Sequence, residues 1–258
     1  MQARAGRSGF ILIVEDDRGA NSLIAERLGG LGLQLRSAYS GREALELLLK
    51  ERPRLLLLDY ALPDMGGEAL LAELEKRGGG RPPHVVITGF GGRDLAVSAM
   101  KAGALDFLVK DASFLDTLPA RAANALEKAD LLDDLEAERE KYRAMFESLG
   151  EAVFVHKILP GGERSNFYEV NDLACERLGY SREELLKLGP ADINPAGAGA
   201  QRAGITEQLL QRGKAVFEIV HITKDGRSLP VEATARAFEH RGERFVISIV
   251  RLRKGGAQ

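Results

Sequence analysis

The chain has 258 residues, 45% hydrophobic and 29% charged, a composition typical of a soluble globular protein with enough length for two small domains. Its 36 Lys and Arg residues nearly balance 38 Asp and Glu residues, and the formal net charge of −2 argues against a nucleic-acid-binding surface. With one cysteine, no apolar run of membrane-spanning length and no signal-peptide core, we expect a cytoplasmic protein without membrane attachment.

Short apolar runs recur through residues 10–110, and segments with a helical period separate them. Continuous apolar runs are typical of parallel strands covered on both faces, and they occur at 10–14, 55–58, 84–88 and 106–109. The alternating run at 33–38 indicates a strand near a sheet edge. Apolar stripes indicate a helix after each of the first four runs: Ile24, Leu28 and Leu31; Ala44, Leu45, Leu48 and Leu49; Leu70, Leu71 and Leu74; and Leu95, Ala99 and Ala102. We therefore predict a doubly wound α/β fold with a five-stranded parallel sheet.

Chemically reactive side chains follow the carboxyl ends of four of these runs, where doubly wound sheets gather their function. They are Glu15 and Asp16, Asp59, Thr88 and Lys110. Clustered carboxylates repel one another unless a cation compensates, and Mg²⁺ prefers such oxygen ligands. With an ammonium and a hydroxyl beside it, Asp59 is suited to act as a carboxylate nucleophile that holds a phosphoryl group. Taken singly, each residue has an alternative role as a loop cap, a solvated turn or a satisfied strand-end hydroxyl.

Residues 10–130 closely resemble the receiver domain of two-component response regulators, a flavodoxin-like fold. The resemblance depends on four motifs in order, which are ILIVEDD, LLLLDYALPDMGG, VVITGFG and DFLVKD. It implies that Asp59 accepts a phosphoryl group from the phosphohistidine of a sensor histidine kinase or phosphotransfer protein. It also implies a Mg²⁺ ion held by Glu15, Asp16, Asp59 and the backbone carbonyl of Ala61.

The same resemblance implies that Thr88 and Lys110 contact the phosphoryl oxygens. Phe107 stands where receivers carry an aromatic that rotates inward on activation, with an ordinary core position as the alternative. The family usually has Lys-Pro, often with a cis bond, where this chain has Lys110-Asp111. Because a cis bond without proline costs about 3 kcal/mol, the loop either keeps a strained cis bond or runs trans and shifts Lys110. We expect phosphorylation to survive this departure.

Residues 120–149 contain neither Gly nor Pro and are rich in good helix formers, so we predict a long helix with Pro119 in its first turn. Apolar residues follow two offset coiled-coil frames: Leu118, Ala122, Ala125, Ala129 and Leu132; then Leu131, Leu135, Tyr142, Met145 and Leu149. We interpret the segment as a dimeric signalling helix. The alternative is an ordinary last receiver helix followed by a solvated linker.

The segment after residue 150 predicts an α+β domain with two strands, short helices and a closing meander of three strands. Asn171 or Asp172 is a helix N-cap, Gly179 a stop signal, and Ser181 opens a capping box. The pair Asp225-Gly226 predicts a hairpin turn in which both residues have positive φ. The stretches VNDLACERLGYSREELL and HITKDGRSLPVEATA resemble a PAS domain, which implies an antiparallel sheet.

PAS domains serve as ligand sensors, cofactor holders or dimerisation modules, and the ligand here is unknown. The flavin-type Asn-Cys-Arg helix is absent, and 191–213 offers no axial histidine for haem. We interpret Cys175 as a small buried hydrophobe, and His156 and His221 as surface or core residues. The small-residue stretch at 192–204 indicates a loop, with a flexible pocket lid as the alternative. The overlapping segment 200–214 is predicted to be a helix.

Together these features predict a two-component response regulator whose phosphorylated receiver modulates a linker helix and PAS domain for protein–protein output, as a homodimer formed through both. We divide the chain into a receiver (1–130), a helical linker (131–150) and a PAS domain (151–258). Beyond its own aspartyl phosphorylation and dephosphorylation we expect no enzymatic activity, because the kinase phosphoacceptor and ATP-binding motifs are absent. The alternatives are the N-terminal receiver–PAS part of a hybrid histidine kinase or similar larger enzyme, and a degenerate receiver used for interaction alone.

Overall fold

The computed structural model describes residues 9–89 and 93–253, and the chain separates into two compact units, Met1–Ala137 and Glu138–Gln258. The division falls inside one long helix. The boundaries at residues 130 and 150 that we drew from the sequence stay a prediction, and the two units are described separately below.

The first unit is a parallel sheet covered by helices on both faces. Within the described residues its strands are β1 (Phe10–Val14), β2 (Gln34–Ala38), β3 (Leu55–Asp59), β4 (His84–Thr88) and β5 (Asp106–Val109), in the order β2-β1-β3-β4-β5. Four helices connect them, α1 (Arg18–Leu28), α2 (Gly41–Leu48), α3 (Gly67–Lys76) and α4 (Arg93–Lys101), and α5 (Phe114–Glu147) follows. The predicted doubly wound sheet is confirmed, and the alternating run forms the edge strand β2.

The leucines of β3 are buried because alternate residues face two separate cores. Leu55 and Leu57 pack with α1 and the first part of α5, whereas Leu56 and Leu58 pack with α2 and α3. The predicted helix stripes are mostly buried, but Leu49 ends α2 and is 42% exposed. Both faces of β3 therefore carry apolar side chains as far as Leu58, and Asp59 is the last residue of the strand.

Helix α5 begins at Phe114, so the prediction that Pro119 stands in its first turn is wrong. The Asp111 carboxylate accepts hydrogen bonds from the backbone N–H and the hydroxyl of Ser113, each at 2.8 Å, and the Phe114 N–H donates to the Asp111 carbonyl at 3.1 Å. These bonds satisfy donors that a helix start leaves open, and they begin the helix five residues before the proline.

The first predicted coiled-coil frame is also corrected, because four of its five residues are buried in the first unit and Leu132 alone among them is exposed. Leu118, Ala122 and Ala125 are at most 1% exposed and pack against β1, β3 and β4, and Ala129 is 3% exposed. This part of α5 is an ordinary last receiver helix. Apolar residues of the second frame, such as Leu131 and Leu135, remain exposed.

The second unit is an antiparallel sheet with helices between its second and third strands. Its strands are β6 (Ala152–Ile158), β7 (Arg164–Val170), β8 (Lys214–Ile222), β9 (Ser228–His240) and β10 (Glu243–Leu252), in the order β7-β6-β10-β9-β8 over the part of the chain described. The helices are α6 (Asp172–Leu178), α7 (Arg182–Leu185) and α8 (Gly199–Arg212). The predicted α+β domain, the Asn171 cap and the Ser181 capping box are confirmed.

The hairpin turn at 224–227 differs from the prediction. Gly226 has φ of +84°, but among the described non-glycine residues a positive φ occurs at Arg241 alone, so Asp225 does not share it. Thr223 sets the turn instead, because its hydroxyl accepts a hydrogen bond from the Arg227 N–H at 2.9 Å and its carbonyl accepts one from the Gly226 N–H at 2.9 Å. The Thr223 side chain thus helps to form a turn that is wider than the tight two-residue turn we expected.

Helix α8 begins at Gly199, one residue before the helix predicted at 200–214, so the loop predicted at 192–204 ends earlier than expected. Ile205 and Leu209 of α8 pack against Ile158 of β6 in a common core cluster. This packing stabilises a helix whose first turns have weak helix propensity, so tertiary contacts override the local sequence.

Candidate functional site

The acidic residues predicted to cluster do lie together at the carboxyl edge of the parallel sheet. Strands β1 and β3 are neighbours, with Val14 opposite Leu58, so Glu15 and Asp59 leave the sheet side by side. One carboxylate oxygen from each of Glu15, Asp16 and Asp59 lies within 4.8 Å of the others. Glu15 and Asp59 are buried whereas Asp16 is exposed, so the cluster opens to solvent on one side.

Lys110 reaches this cluster from two strands away. Its backbone N–H donates to the Thr88 carbonyl at 2.8 Å, and its Nζ lies 2.5 Å from Asp59 Oδ2 and 2.6 Å from Glu15 Oε2. Over the described residues every peptide bond is trans, which decides between the two conformations left open for the Lys110-Asp111 loop. The trans loop still delivers the ammonium to Asp59.

The charges of the cluster are strongly coupled. Burial raises the pKa of Glu15, the neighbouring Asp59 adds to the rise, and Lys110 opposes it. Burial works against the charged form of Lys110, but its contacts with the Asp59 and Glu15 carboxylates outweigh that and raise the Lys110 pKa. Three carboxylates face one ammonium here, so the cluster carries an excess of negative charge.

The hydrogen bonding leaves one buried oxygen open. Asp59 Oδ1 accepts a bond from the Ala61 N–H at 3.0 Å, which fixes the carboxylate. Glu15 Oε2 is close to the Lys110 ammonium, but their contact lacks hydrogen-bond geometry, so among the described residues this oxygen has an ionic partner and no donor. A divalent cation suits such a site, because it supplies positive charge to several oxygens at once.

Two other predicted site residues, Thr88 and Phe107, lie on the strands β4 and β5. Thr88 is buried at the end of β4 and Phe107 is half-buried against Val86, Ala99 and Ala104. Residues 90 and 91 of the VVITGFG motif lie outside the described residues. The catalytic, switching and metal-binding roles assigned to these side chains from the sequence stay predictions.

Three contacts that support the site were not predicted from the sequence. The Asp64 carboxylate accepts the N–H groups of Gly41 and Arg42 at 2.8 and 2.9 Å, which joins the loop after β3 to the start of α2. Asp17, in the acidic motif itself, caps α1 by accepting the Ala20 N–H at 2.8 Å. Gly67 lets α3 approach Asp59, since a Cβ there would lie 2.9 Å from the Asp59 carbonyl oxygen. The Asp-x-x-Ala spacing signals the α1 cap, whereas the other two contacts are long-range.

Comparison with known families identifies both units. A doubly wound sheet with an acidic cluster and a lysine at its carboxyl edge agrees with the receiver fold, and residues 11–121 match the model of the response regulator receiver domain. Residues 150–251 match the model of the PAS domain. The chain is therefore a two-component signalling protein made of a response regulator receiver domain followed by a PAS domain.

Several relatives share one of these parts. The response regulator protein PilR of Pseudomonas aeruginosa is 41% identical over 99 residues, which are 38% of this chain and 22% of PilR. The methyl sulfide methyltransferase-associated sensor of Methanosarcina acetivorans is 25% identical over 142 residues, 55% of this chain and 14% of the sensor. A crystal structure of the receiver domain of a putative Luxo repressor from Vibrio parahaemolyticus is 30% identical with a TM-score of 0.46, covering 50% of this chain and 98% of that one.

The matched segments span between 14% and 30% of the length of these and the other most similar curated relatives. In the part of the chain that the structure describes, none of the helices combines the length and the apolar character needed to cross a bilayer.

Proposed function

We propose that this chain is a phosphorylation-controlled response regulator in which Asp59 accepts a phosphoryl group from the phosphohistidine of a sensor histidine kinase or phosphotransfer protein. The observation that supports this most is the position of the Asp59 carboxylate, which lies 2.5 Å from the Lys110 ammonium within a buried acidic cluster at the sheet edge. That arrangement combines a nucleophile, a mobile positive charge and a place for a cation.

Each residue has a role in this step. One oxygen of the Asp59 carboxylate attacks phosphorus while the phosphorus–nitrogen bond to the donor histidine breaks. The Ala61 N–H, which bonds Asp59 Oδ1, holds the carboxylate in its orientation. Lys110 moves its ammonium from Asp59 to a phosphoryl oxygen, and the Thr88 hydroxyl donates to another, so both stabilise the transferred group. Phe107 turns inward when Thr88 is drawn toward the phosphoryl group.

Mg²⁺ fits this site, and Glu15, Asp16, Asp59 and the Ala61 carbonyl would hold it. The fit is supported by the donor set of three carboxylates around one ammonium and by Glu15 Oε2, which lacks a hydrogen-bond donor among the described residues. The ion would neutralise charge on the phosphoryl oxygens. The chain's own residues position the carboxylate and the ammonium around it.

The output is proposed to be protein–protein, through a homodimer of the second half of α5 and the PAS domain. Leu131, Leu135, Tyr142 and Met145 are each more than half exposed and recur at coiled-coil spacing. Apolar residues at that spacing on one helix gain by pairing with a second copy. No nucleic-acid contact is proposed, and no turnover enzyme beyond the receiver's own phosphorylation and dephosphorylation.

A second candidate is the N-terminal receiver–PAS part of a hybrid histidine kinase or similar larger signalling enzyme. The resemblance to the Methanosarcina sensor favours it, because the match there occupies 14% of a much longer protein. Both candidates use the same chemistry at Asp59, and they differ in whether a kinase or similar enzyme domain is joined to the PAS domain.

The test is the intact mass of the full chain after incubation with Mg²⁺ and acetyl phosphate. We expect one phosphoryl adduct in the wild type, none in Asp59→Asn, and an unchanged adduct in Asp94→Asn, which alters an exposed aspartate on α4. An adduct that persists in Asp59→Asn, or a wild type that takes up neither acetyl phosphate nor BeF₃⁻, would show that Asp59 is not the acceptor.

A further inference from the structure

Three basic side chains of the PAS domain gather on the helix-covered face of its sheet. His156 lies in the middle of β6, is 3% exposed, and stands between Phe154 and Ile158, which belong to two different core clusters. Arg164, at the start of β7, is opposite Ile158, and its Nη2 donates to the carbonyl of Arg202 on α8 at 2.8 Å. Strand β7 and helix α8 thus place two half-buried arginines close to a buried imidazole.

The polar atoms of this group are left without adequate partners. Among the described residues, both ring nitrogens of His156 and Nη1 of Arg202 are buried and have no hydrogen-bond partner. Arg164 donates only to neutral acceptors, its Nε reaching Thr206 Oγ1 at 3.0 Å. In the described part of the chain, no carboxylate pairs with Arg164 or Arg202. Buried charges and buried donors are normally paired, so this group lacks a negatively charged acceptor.

The protonation states define what such an acceptor must be. Burial, together with the charge of Arg164, lowers the pKa of His156 to about 3, so its ring is neutral near pH 7 and offers one donor and one acceptor. Burial, with the charge of Arg202, lowers the pKa of Arg164 to about 10, which still leaves it charged. Two positive charges beside a neutral ring match an anion that accepts several hydrogen bonds.

The first turns of α8 provide a route to this interior group. They contain Gly199 and Gly204, and within the described structure the capping residue Ala198 makes no side-chain bond to the helix start. Glycines and a missing cap weaken a helix end, so this end opens more readily than the strands beneath it. Arg202 and Thr206 lie on these turns and both accept hydrogen bonds from Arg164, so opening of this end releases the Arg164 guanidinium.

We propose that the PAS domain binds a small carboxylate anion between Arg164 and Arg202, with the His156 ring hydrogen-bonded to it. The planar guanidinium group matches the two oxygens of a carboxylate, which gives it two parallel bonds. The apolar side chains of Ile158 and Ile205 pack beside the group and restrict the ligand to a small one. This site is separate from the receiver and does not depend on phosphorylation.

The test observes the histidine rings of the full chain, labelled with ¹⁵N-histidine, as sodium acetate replaces sodium chloride at pH 7 and constant ionic strength. His156→Phe assigns the His156 signals. We expect a saturable shift of the His156 ring and none of the His240 ring, which is exposed at the end of β9. Arg202→Gln should weaken acetate binding by about tenfold or more, since it removes a charge-assisted pair. The matched control is Arg212→Gln, an exposed arginine in the last turn of α8, and it should leave the binding unchanged.

Absence of a saturable shift, or an equal shift in Arg202→Gln, overturns the proposal. Inorganic phosphate is the second probe, and saturation by phosphate alone overturns the carboxylate assignment. If Arg202→Gln loses its folded circular dichroism spectrum, Arg164→Lys replaces it, because lysine keeps the charge without the planar fork. Acetate binding undiminished in Arg164→Lys would count against the site.

Discussion

Asp59 is surrounded by residues whose sizes matter as much as their charges, and Gly67 is the clearest case. A Cβ at Gly67 would lie 2.9 Å from the Asp59 carbonyl oxygen and 3.1 Å from Cγ of Leu58. At the neighbouring Gly66 the corresponding Cβ would meet only the Tyr60 carbonyl oxygen, at 3.8 Å. Two adjacent glycines therefore differ in whether a side chain fits.

We predict that Gly67→Ala lowers the free energy of unfolding of the receiver by about 1–3 kcal/mol, because α3 must move away from β3. It should also slow the acetyl phosphate reaction, since the backbone that carries Asp59 shifts. Thermal unfolding and the rate of adduct formation measure the two effects, with Gly66→Ala as the control. Equal behaviour of the two variants would mean that the close approach at Gly67 is relieved without cost.

At the level of single residues, the sequence predicted the phosphoacceptor cluster because its members follow strand ends that any parallel sheet brings together. It did not predict the role of Asp111, which departs from the usual proline. Ser113 holds the Asp111 carboxylate, and its hydrogen bonds keep the pKa of Asp111 below its usual range. The Asp111 carboxylate therefore begins α5, and Lys110 stays in contact with Asp59. Sequence patterns also missed the basic group of His156, Arg164 and Arg202, because strand β7 and helix α8 meet there through contacts distant in sequence.

Among the elements, α5 combines two different helical surfaces. Its first part contributes Leu118 and Ala122 to the receiver core, and its end contributes Phe146, at 5% exposure, to a cluster with Val153 and Phe245 on the other face of the PAS sheet. The last turn is fixed further by Glu147, whose carboxylate pairs with Arg182 and accepts the Asp172 N–H at 2.6 Å. Between these ends Leu131, Leu135 and Met145 stay exposed, whereas Tyr142 donates its hydroxyl to Glu169 at 3.0 Å and stacks on Phe146.

The exposed part of α5 leads to a prediction about self-association. Leu135→Asn should weaken dimerisation by about tenfold or more, because it places an amide in the apolar seam of the proposed coiled coil. Sedimentation velocity across a concentration series measures the dissociation constant. The control is Leu23→Asn, which changes a similarly exposed leucine on α1. A wild type that stays monomeric, or a dissociation constant unaffected by Leu135→Asn, would contradict the proposed dimer.

The elements also show where sequence patterns are sufficient. Continuous apolar runs predicted the strands of the parallel sheet well, since burial on both faces leaves no other pattern. Helix starts were predicted well where a local cap exists, as at Asn171 and Ser181. At the start of α8 the sequence offered two overlapping predictions, a loop to residue 204 and a helix from residue 200. The helix forms, because Ile205 and Leu209 pack on the sheet.

At the scale of the whole molecule, the proposed output depends on α5, because this helix belongs to both compact units. A change of the receiver at Asp59 has a continuous covalent route to the PAS domain through this helix. The central claim is therefore that modification of Asp59 alters the second half of α5.

The most direct test is hydrogen exchange, followed by mass spectrometry, of the full chain with Mg²⁺ in the presence and absence of BeF₃⁻. We predict that exchange across 131–149 changes when BeF₃⁻ binds the wild type and Asp94→Asn, and that Asp59→Asn shows no change. If BeF₃⁻ alters exchange around Asp59 in the wild type while 131–149 exchanges as before, phosphorylation does not control the linker and the proposed output is contradicted.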